Sequence, residues 1–153
     1  MSDAVVAQAT LLIRRSVGEV FGAFVEPRML TRFWLSAASG PLEVGKTVRW
    51  EFMVPGAICE TKTTVLDPLE RIEIEWSDGT YVRWQFESVL EGTIVRIDNW
   101  GFKGSVDEVV ASALEATQGF TIVLCDLKTL LETGTSANLV KDKALQIERK
   151  QST

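Results

Sequence analysis

From Val48 to Trp100, apolar residues fall at every second position in run after run, and turn residues separate the runs. Val48, Trp50, Phe52 and Val54 alternate with Arg49, Glu51 and Met53. Cys59, Thr61, Thr63 and Val65 alternate with Glu60, Lys62 and Thr64. Ile72, Ile74 and Trp76 oppose Arg71, Glu73 and Glu75, while Val82, Trp84 and Phe86 oppose Tyr81, Arg83, Gln85 and Glu87. In the last run Val95, Ile97 and Asn99 share a face, with Arg96, Asp98 and Trp100 on the other. Successive side chains of a strand point to opposite faces, so each run predicts a strand with one buried and one wet face. Pro55-Gly56, Asp67-Pro68, Asp78-Gly79 and Glu91-Gly92 make turns short enough for antiparallel neighbours.

The period changes to that of a helix in two places. After a first strand over Val5 to Arg14, Ser16 and Glu19 have capping-box spacing, and Val17, Val20, Phe21 and Phe24 form the apolar side of a short helix. Pro27 ends it and is suited to the first position of a second short helix, which buries Met29, Leu30, Phe33 and Trp34. Ser39-Gly40-Pro41 and Val44-Gly45-Lys46 then read as turns. Ser105 and Glu108 form a second capping box. From there a long amphipathic helix runs to Gly134, with Val109, Val110, Ala113, Leu114 and Thr117, then Phe120, Val123, Leu124, Leu127, Leu130 and Leu131, along its inner side. Gly119 inside that helix costs up to about 1 kcal/mol relative to Ala and implies a kink or a close approach to the sheet. The order predicts an α+β fold: about six antiparallel strands curved around a long late helix, with two short helices after the first strand. Residues 1–135 are expected to form this single domain. Residues 136–153 are a polar tail, docked in part near Asn138, Leu139 and Val140 or disordered, with a frayed helix or disorder after Lys143.

Composition narrows the chemistry. The chain has 153 residues, enough to bury one core, and a net charge of −5, which disfavours nucleic-acid binding because phosphate backbones need a basic footprint. No uninterrupted apolar run approaches the roughly 18 residues of a bilayer span, and the first fifteen residues lack the pattern of a signal peptide, so cytoplasm is the expected location. The two cysteines, Cys59 and Cys125, lie in apolar or β-branched settings and are expected as buried thiols. There is no histidine. That removes Ser-His-Asp and Cys-His catalysis and His-ligated zinc or haem, and no cofactor or metal is expected.

Three segments then carry a family resemblance: SVGEVFGAFVEPRMLTRFW after the first strand, VLDPLERIEIEW in the middle and GFTIVLCDLKTLLE on the long helix. In this order they resemble the START-like (SRPBCC) helix-grip superfamily, and locally its heat-shock-protein-90 ATPase activator homologue branch, over about Val5 to Glu132. The resemblance implies a curved sheet wrapped around the last helix, with a cavity between them. Superfamily members bind lipids, sterols, hormones or polyketides, and some are cyclases or aromatases. Eukaryotic activators stimulate a chaperone ATPase and carry an additional domain for which this chain has no room. It looks like the small bacterial single-domain homologues, which have no assigned activity.

The expected ligand-binding residues are those that the pattern turns inward: Trp34 and Phe33 on the second short helix; Trp50, Phe52, Trp76, Trp84, Phe86 and Asn99 on the sheet; Thr117, Phe120, Thr121 and Leu124 on the long helix. Apolar walls with a few placed polar groups suit a small hydrophobic molecule. An enzyme of the polyketide-cyclase type would instead need at least two of Tyr81, Arg83, Asn99 and Glu60 to converge in the cavity. A homodimer or a chaperone contact would need an exposed apolar patch, expected on the outer sheet or the tail.

Overall fold

The computed structural model describes residues 5–152. Residues 1–4 and 153, the ends of the expected domain and tail, lie outside the described residues. The elements run β1 (Ala7–Ile13), α1 (Val17–Val25), α2 (Pro27–Phe33), β2 (Leu35–Ala38), β3 (Thr47–Phe52), β4 (Ile58–Asp67), β5 (Arg71–Trp76), β6 (Tyr81–Val89), β7 (Gly92–Trp100), α3 (Val106–Thr133) and α4 (Leu139–Ser152). The strands form one antiparallel sheet in the order β1-β7-β6-β5-β4-β3-β2, curled into a half-barrel with α3 against its concave side. Consecutive strands pair as the short turns require, and β1 returns to the last strand, Ala9 opposite Ile97. The buried alternation is the expected one: Val82 and Trp84 on β6 and Val95 and Ile97 on β7 are fully buried.

Four local features depart from the sequence reading. The sheet has a seventh strand, β2, whose Leu35-Ser36-Ala37-Ala38 carries no marked alternation and pairs with β3 through an irregular register. A register shift between Thr63 and Val65 in β4 turns Val65 to the outer side, opposite Glu73, and brings Leu66 onto the core opposite Ile72. The strand expected to reach Val54 ends at Phe52, and Met53 and Val54 lie in the following turn. The segment after Gly134 forms α4, helical from Leu139 through Ser152, where the sequence left docking near Asn138 to Val140 and a frayed helix or disorder after Lys143 open.

The helix starts follow from their caps. At Ser105 the box is complete: the Glu108 N–H donates to Ser105 Oγ at 3.2 Å, and the Ser105 N–H donates to Glu108 Oε1 at 2.9 Å. At Ser16 only half of it forms. The Glu19 N–H donates to Ser16 Oγ, but the Glu19 carboxylate accepts from that same hydroxyl rather than from the Ser16 N–H. Pro27 opens α2 directly behind α1, so the two helices fold back on each other and bury Val20, Ala23, Phe24, Leu30 and Phe33. The chain leaves α2 through Trp34, which is 5% exposed at the joint with β2.

The register of α3 also differs from expectation at its start. Val110 and Leu114, expected on the inner side, are 42% and 68% exposed, and the helix meets the core from Ala113 and Phe120 onward. By length and composition α3 would cross a bilayer, with mean hydropathy 1.2 over its most apolar window. Its apolarity has a local cause, because Phe120, Val123, Leu124, Leu127 and Leu130 are all buried in the core.

Candidate functional site

The concave face of the sheet carries a continuous set of aromatic rings, and one end of it is not filled by protein. A cavity of about 320 Å³ lies there, between β3–β5, the middle of α3 and the inner side of α4. Trp34, Phe52, Trp76 and Phe120 form its aromatic wall. Their rings support one another: Trp76 stacks on Phe120 at 6.2 Å with an interplanar angle of 8°, Phe52 meets Trp76 edge-on at 5.8 Å, and Trp34 meets Phe120 at 6.0 Å. Such pairs hold their geometry by contact between ring edge and ring face. The wall is therefore a braced surface.

Five of the twelve residues expected in the site line this cavity: Trp34, Phe52, Trp76, Asn99 and Phe120. The other seven lie elsewhere, for definite reasons. Phe33, Trp50, Trp84 and Leu124 are at most 1% exposed and fill the core behind the wall or beyond it. Phe86 packs on Phe21 at 5.2 Å, under α1. Thr117 and Thr121 commit their hydroxyls to the carbonyls of Ala113 and Thr117, one helical turn back, at 2.8 and 2.7 Å. Asn99 both lines the cavity and donates its amide to the Tyr81 carbonyl at 2.8 Å, tying β7 to β6.

The sequence reading missed three contributions. Met53 and Val54 enter from the turn after β3. Gly119 sits where a Cβ would meet nothing within 4 Å, so the sheet does not approach closely at this glycine, and the space beside it belongs to the cavity. The third is α4, whose Val140, Lys143, Ala144 and Ile147 close one side. Their spacing repeats every three or four residues and was a readable signal, hidden by the polar residues between them. α4 is tied down by Asp126 of α3, which is 1% exposed and accepts from the Ser136 hydroxyl at 2.8 Å and the Val140 N–H at 3.3 Å. On its other flank α4 borders a groove of about 440 Å³ of mixed lining, with Leu35, Met53 and Leu145 beside Arg32, Asp126 and Lys141.

Among polar groups at the cavity, Asp78 accepts from both the N–H and the hydroxyl of Thr80, at 2.9 and 2.7 Å. Burial, followed by the charge of Asp78, pushes the Cys59 thiol up, which favours the thiol over the thiolate. Both cysteines are unbridged and half-buried rather than buried. Of the four groups a cyclase would need to gather, Asn99 lines the cavity, while Tyr81 and Glu60 are exposed and Arg83 faces the outer side of the sheet. Among the described residues no cluster of acidic or cysteine side chains is placed to hold a metal ion.

The outer side carries its own polar centre. Asp98 is fully buried and accepts from Gln8 at 2.9 Å, from Arg83 at 3.1 Å and from Arg96 at 3.3 Å. Burial alone raises the Asp98 pKa; the bonds from Gln8 and Arg83 and the Arg96 charge outweigh it and hold the carboxyl below the usual range. Arg83 also lies over the Trp100 ring at 5.3 Å, and Trp100 stacks on Tyr81.

Comparison with known proteins agrees with this architecture. No curated protein matches the chain. Among solved structures, protein SSP2350 from Staphylococcus saprophyticus is 24% identical with a TM-score of 0.76, over 86% of this chain and 95% of its own. The Aha1 dimer from Colwellia psychrerythraea is 23% identical with a TM-score of 0.74, over 85% of this chain and 98% of its own. DynU16, described as a putative protein in the dynemicin biosynthetic locus, is 21% identical with a TM-score of 0.75, over 86% of this chain but only 48% of its own. These likenesses establish the fold. The sequence pattern of the family described as "Activator of Hsp90 ATPase homolog 1-like protein" matches residues 14–132, which takes in α1, α2, strands β2 to β7 and all but the last residue of α3, and stops before α4. The chain belongs to the Activator of Hsp90 ATPase homolog 1-like family, within the START-like (SRPBCC) helix-grip proteins.

Proposed function

We propose that this protein binds a small hydrophobic molecule in the cavity between β3–β5, α3 and α4, and that it acts as a binding protein in the cytoplasm. The cavity carries the proposal: about 320 Å³ bounded by Trp34, Phe52, Trp76 and Phe120, at the lower end of the range for small-molecule sites. Apolar surface that a ligand removes from water contributes about 25 cal/mol per Å² before the costs of binding are met. The absence of histidine and the scattered positions of Tyr81, Arg83 and Glu60 favour binding over catalysis. Two unbridged thiols fit a reducing compartment. Displacement of a fluorescent naphthalene dye, combined with native mass spectrometry, tests the proposal. One displaceable dye per chain is expected; a protein that takes up no dye or apolar compound would end it.

A second reading is contact with another protein, either a second copy or a chaperone. Val106, Val110 and Leu114 favour it, since they are 79%, 42% and 68% exposed along one side of α3. This apolar stripe lies on the long helix rather than on the outer sheet or tail, and the Colwellia psychrerythraea structure is described as a dimer. Sedimentation at rising concentration tests self-association. A monomer throughout, with no chaperone retained on the immobilised protein, removes this reading.

A further inference from the structure

The cavity wall carries hydrogen-bonding groups of both kinds, and among the described residues its charged groups are one carboxylate, Asp78, and one ammonium, Lys143. Asp78 already accepts twice from Thr80, and Asn99 spends an amide hydrogen on the Tyr81 carbonyl. Cys59 is a neutral thiol in a half-buried position. Donor groups on the wall are open as well. The Trp76 indole N–H is buried and has no partner. Lys143, a half-buried residue that lines the cavity from α4, is the only cation on the wall among the described residues, and none of them forms a hydrogen bond or ion pair with its ammonium. Asp78, the one carboxylate on the wall among the described residues, lies on the exposed turn between β5 and β6 and spends its hydrogen bonds on Thr80 rather than on Lys143. A cation beside apolar rings gains most from an anion that brings its own apolar body.

We infer that the ligand is an amphipathic anion, with its apolar body against Trp34, Phe52, Trp76 and Phe120 and its anionic end group at Lys143. The inference rests on the hydrophobic-ligand reading above and deepens it. A lysine is a point charge with rotatable donors, so it selects the sign of the end group rather than its shape. Lys143 also lies beyond residue 132, where the family match ends, so this selectivity is supplied by α4 and not by the shared grip.

Calorimetric titration at neutral pH with decanoate, decanol and decylammonium, each below its micellar concentration, provides the test. The three probes share a tail and differ in charge. The wild-type protein is expected to hold decanoate most tightly. Lys143→Met, which keeps the apolar stem, is expected to weaken decanoate about tenfold or more while decanol changes by about twofold at most. Unchanged decanol binding also shows that the variant is folded with its cavity intact. Decanoate binding that is indifferent to Lys143→Met, or a wild-type preference for decylammonium, overturns this inference and leaves the hydrophobic-ligand reading standing. If none of the three binds, both fall.

Discussion

Two groups of aromatic rings share the concave face of this sheet, and they end differently. The rings of Phe33, Trp84 and Phe86 close on Phe24 at 5.7 to 6.2 Å, and α1 and α2 press the group onto β6. Around Trp76, the rings of Phe52, Phe120 and Trp34 stand at 5.8 to 6.5 Å from it, yet their free side faces the cavity, with Met53, Val54 and the spaced residues of α4 across it. Both groups are built of Phe and Trp, each with two rings from the sheet and two from helices or a helix end. The difference lies in what covers them. A helix pair locked by Pro27 fills one end. At the other, a glycine on α3 and a mostly polar helix leave room. Aromatic residues alone therefore do not mark a pocket; the shape of the covering element does.

Truncation on the filled side should produce the largest effect. Phe24→Ala removes a fully buried ring in contact with four others and is expected to cost about 3–5 kcal/mol, read from urea denaturation. A cost near zero would mean that this end is not the tightly packed one.

The support behind that end comes next. Asp98 joins β1, β6 and β7 through Gln8, Arg83 and Arg96. Asp98→Ala is expected to cost about 1–3 kcal/mol, toward the lower figure because both arginines are partly exposed. Because the folded pKa of Asp98 is depressed, its stabilisation is present above the unfolded carboxylate pKa of about 4 and is lost as pH falls through the lower folded value. Glu132 adds in the same direction, its carboxyl lowered first by the Arg14 N–H and then by Lys128. Acid titration of the wild type should show this loss below about pH 4, and the Asp98→Ala variant should show less of it.

On the open side, Phe52→Ala should cost less, about 1–2 kcal/mol, because the ring is already half-buried. It should enlarge the cavity and loosen the hold on an apolar ligand. The smallest effect has the opposite sign. Gly119→Ala should stabilise the protein by up to about 1 kcal/mol, since the helix gains and the added methyl meets no neighbour.

The contrast between the two ends also explains what could be read from the sequence. Alternation gave the face of nearly every strand residue, because a residue such as Trp84 or Ile97 obeys its own strand. It failed past Thr63, where one irregular pairing exchanges Val65 for Leu66 on the core side, and it had nothing to say of β2, which is too short to alternate. Of the candidate site residues, Trp34, Phe52, Trp76, Asn99 and Phe120 were placed inward and do meet the cavity. Trp50 and Trp84 obey the same alternation but lie in the packed core, and which tryptophan is covered depends on helices far away in sequence. α4 was the larger omission. Val140, Ala144 and Ile147 form its narrow apolar side, and Asp126, an acid in an apolar stretch of α3, is its buried anchor. Neither feature has meaning until α3 and α4 are seen together.

The central claim is that the space beside Gly119 is a ligand site rather than slack packing. Dye titration of Gly119→Leu against the wild type, with urea denaturation of both, tests it most directly. The account predicts a variant about as stable as the wild type, within about 1 kcal/mol, whose dye affinity falls at least tenfold because leucine occupies the space. Equal dye binding by the two proteins, at equal stability, would contradict it.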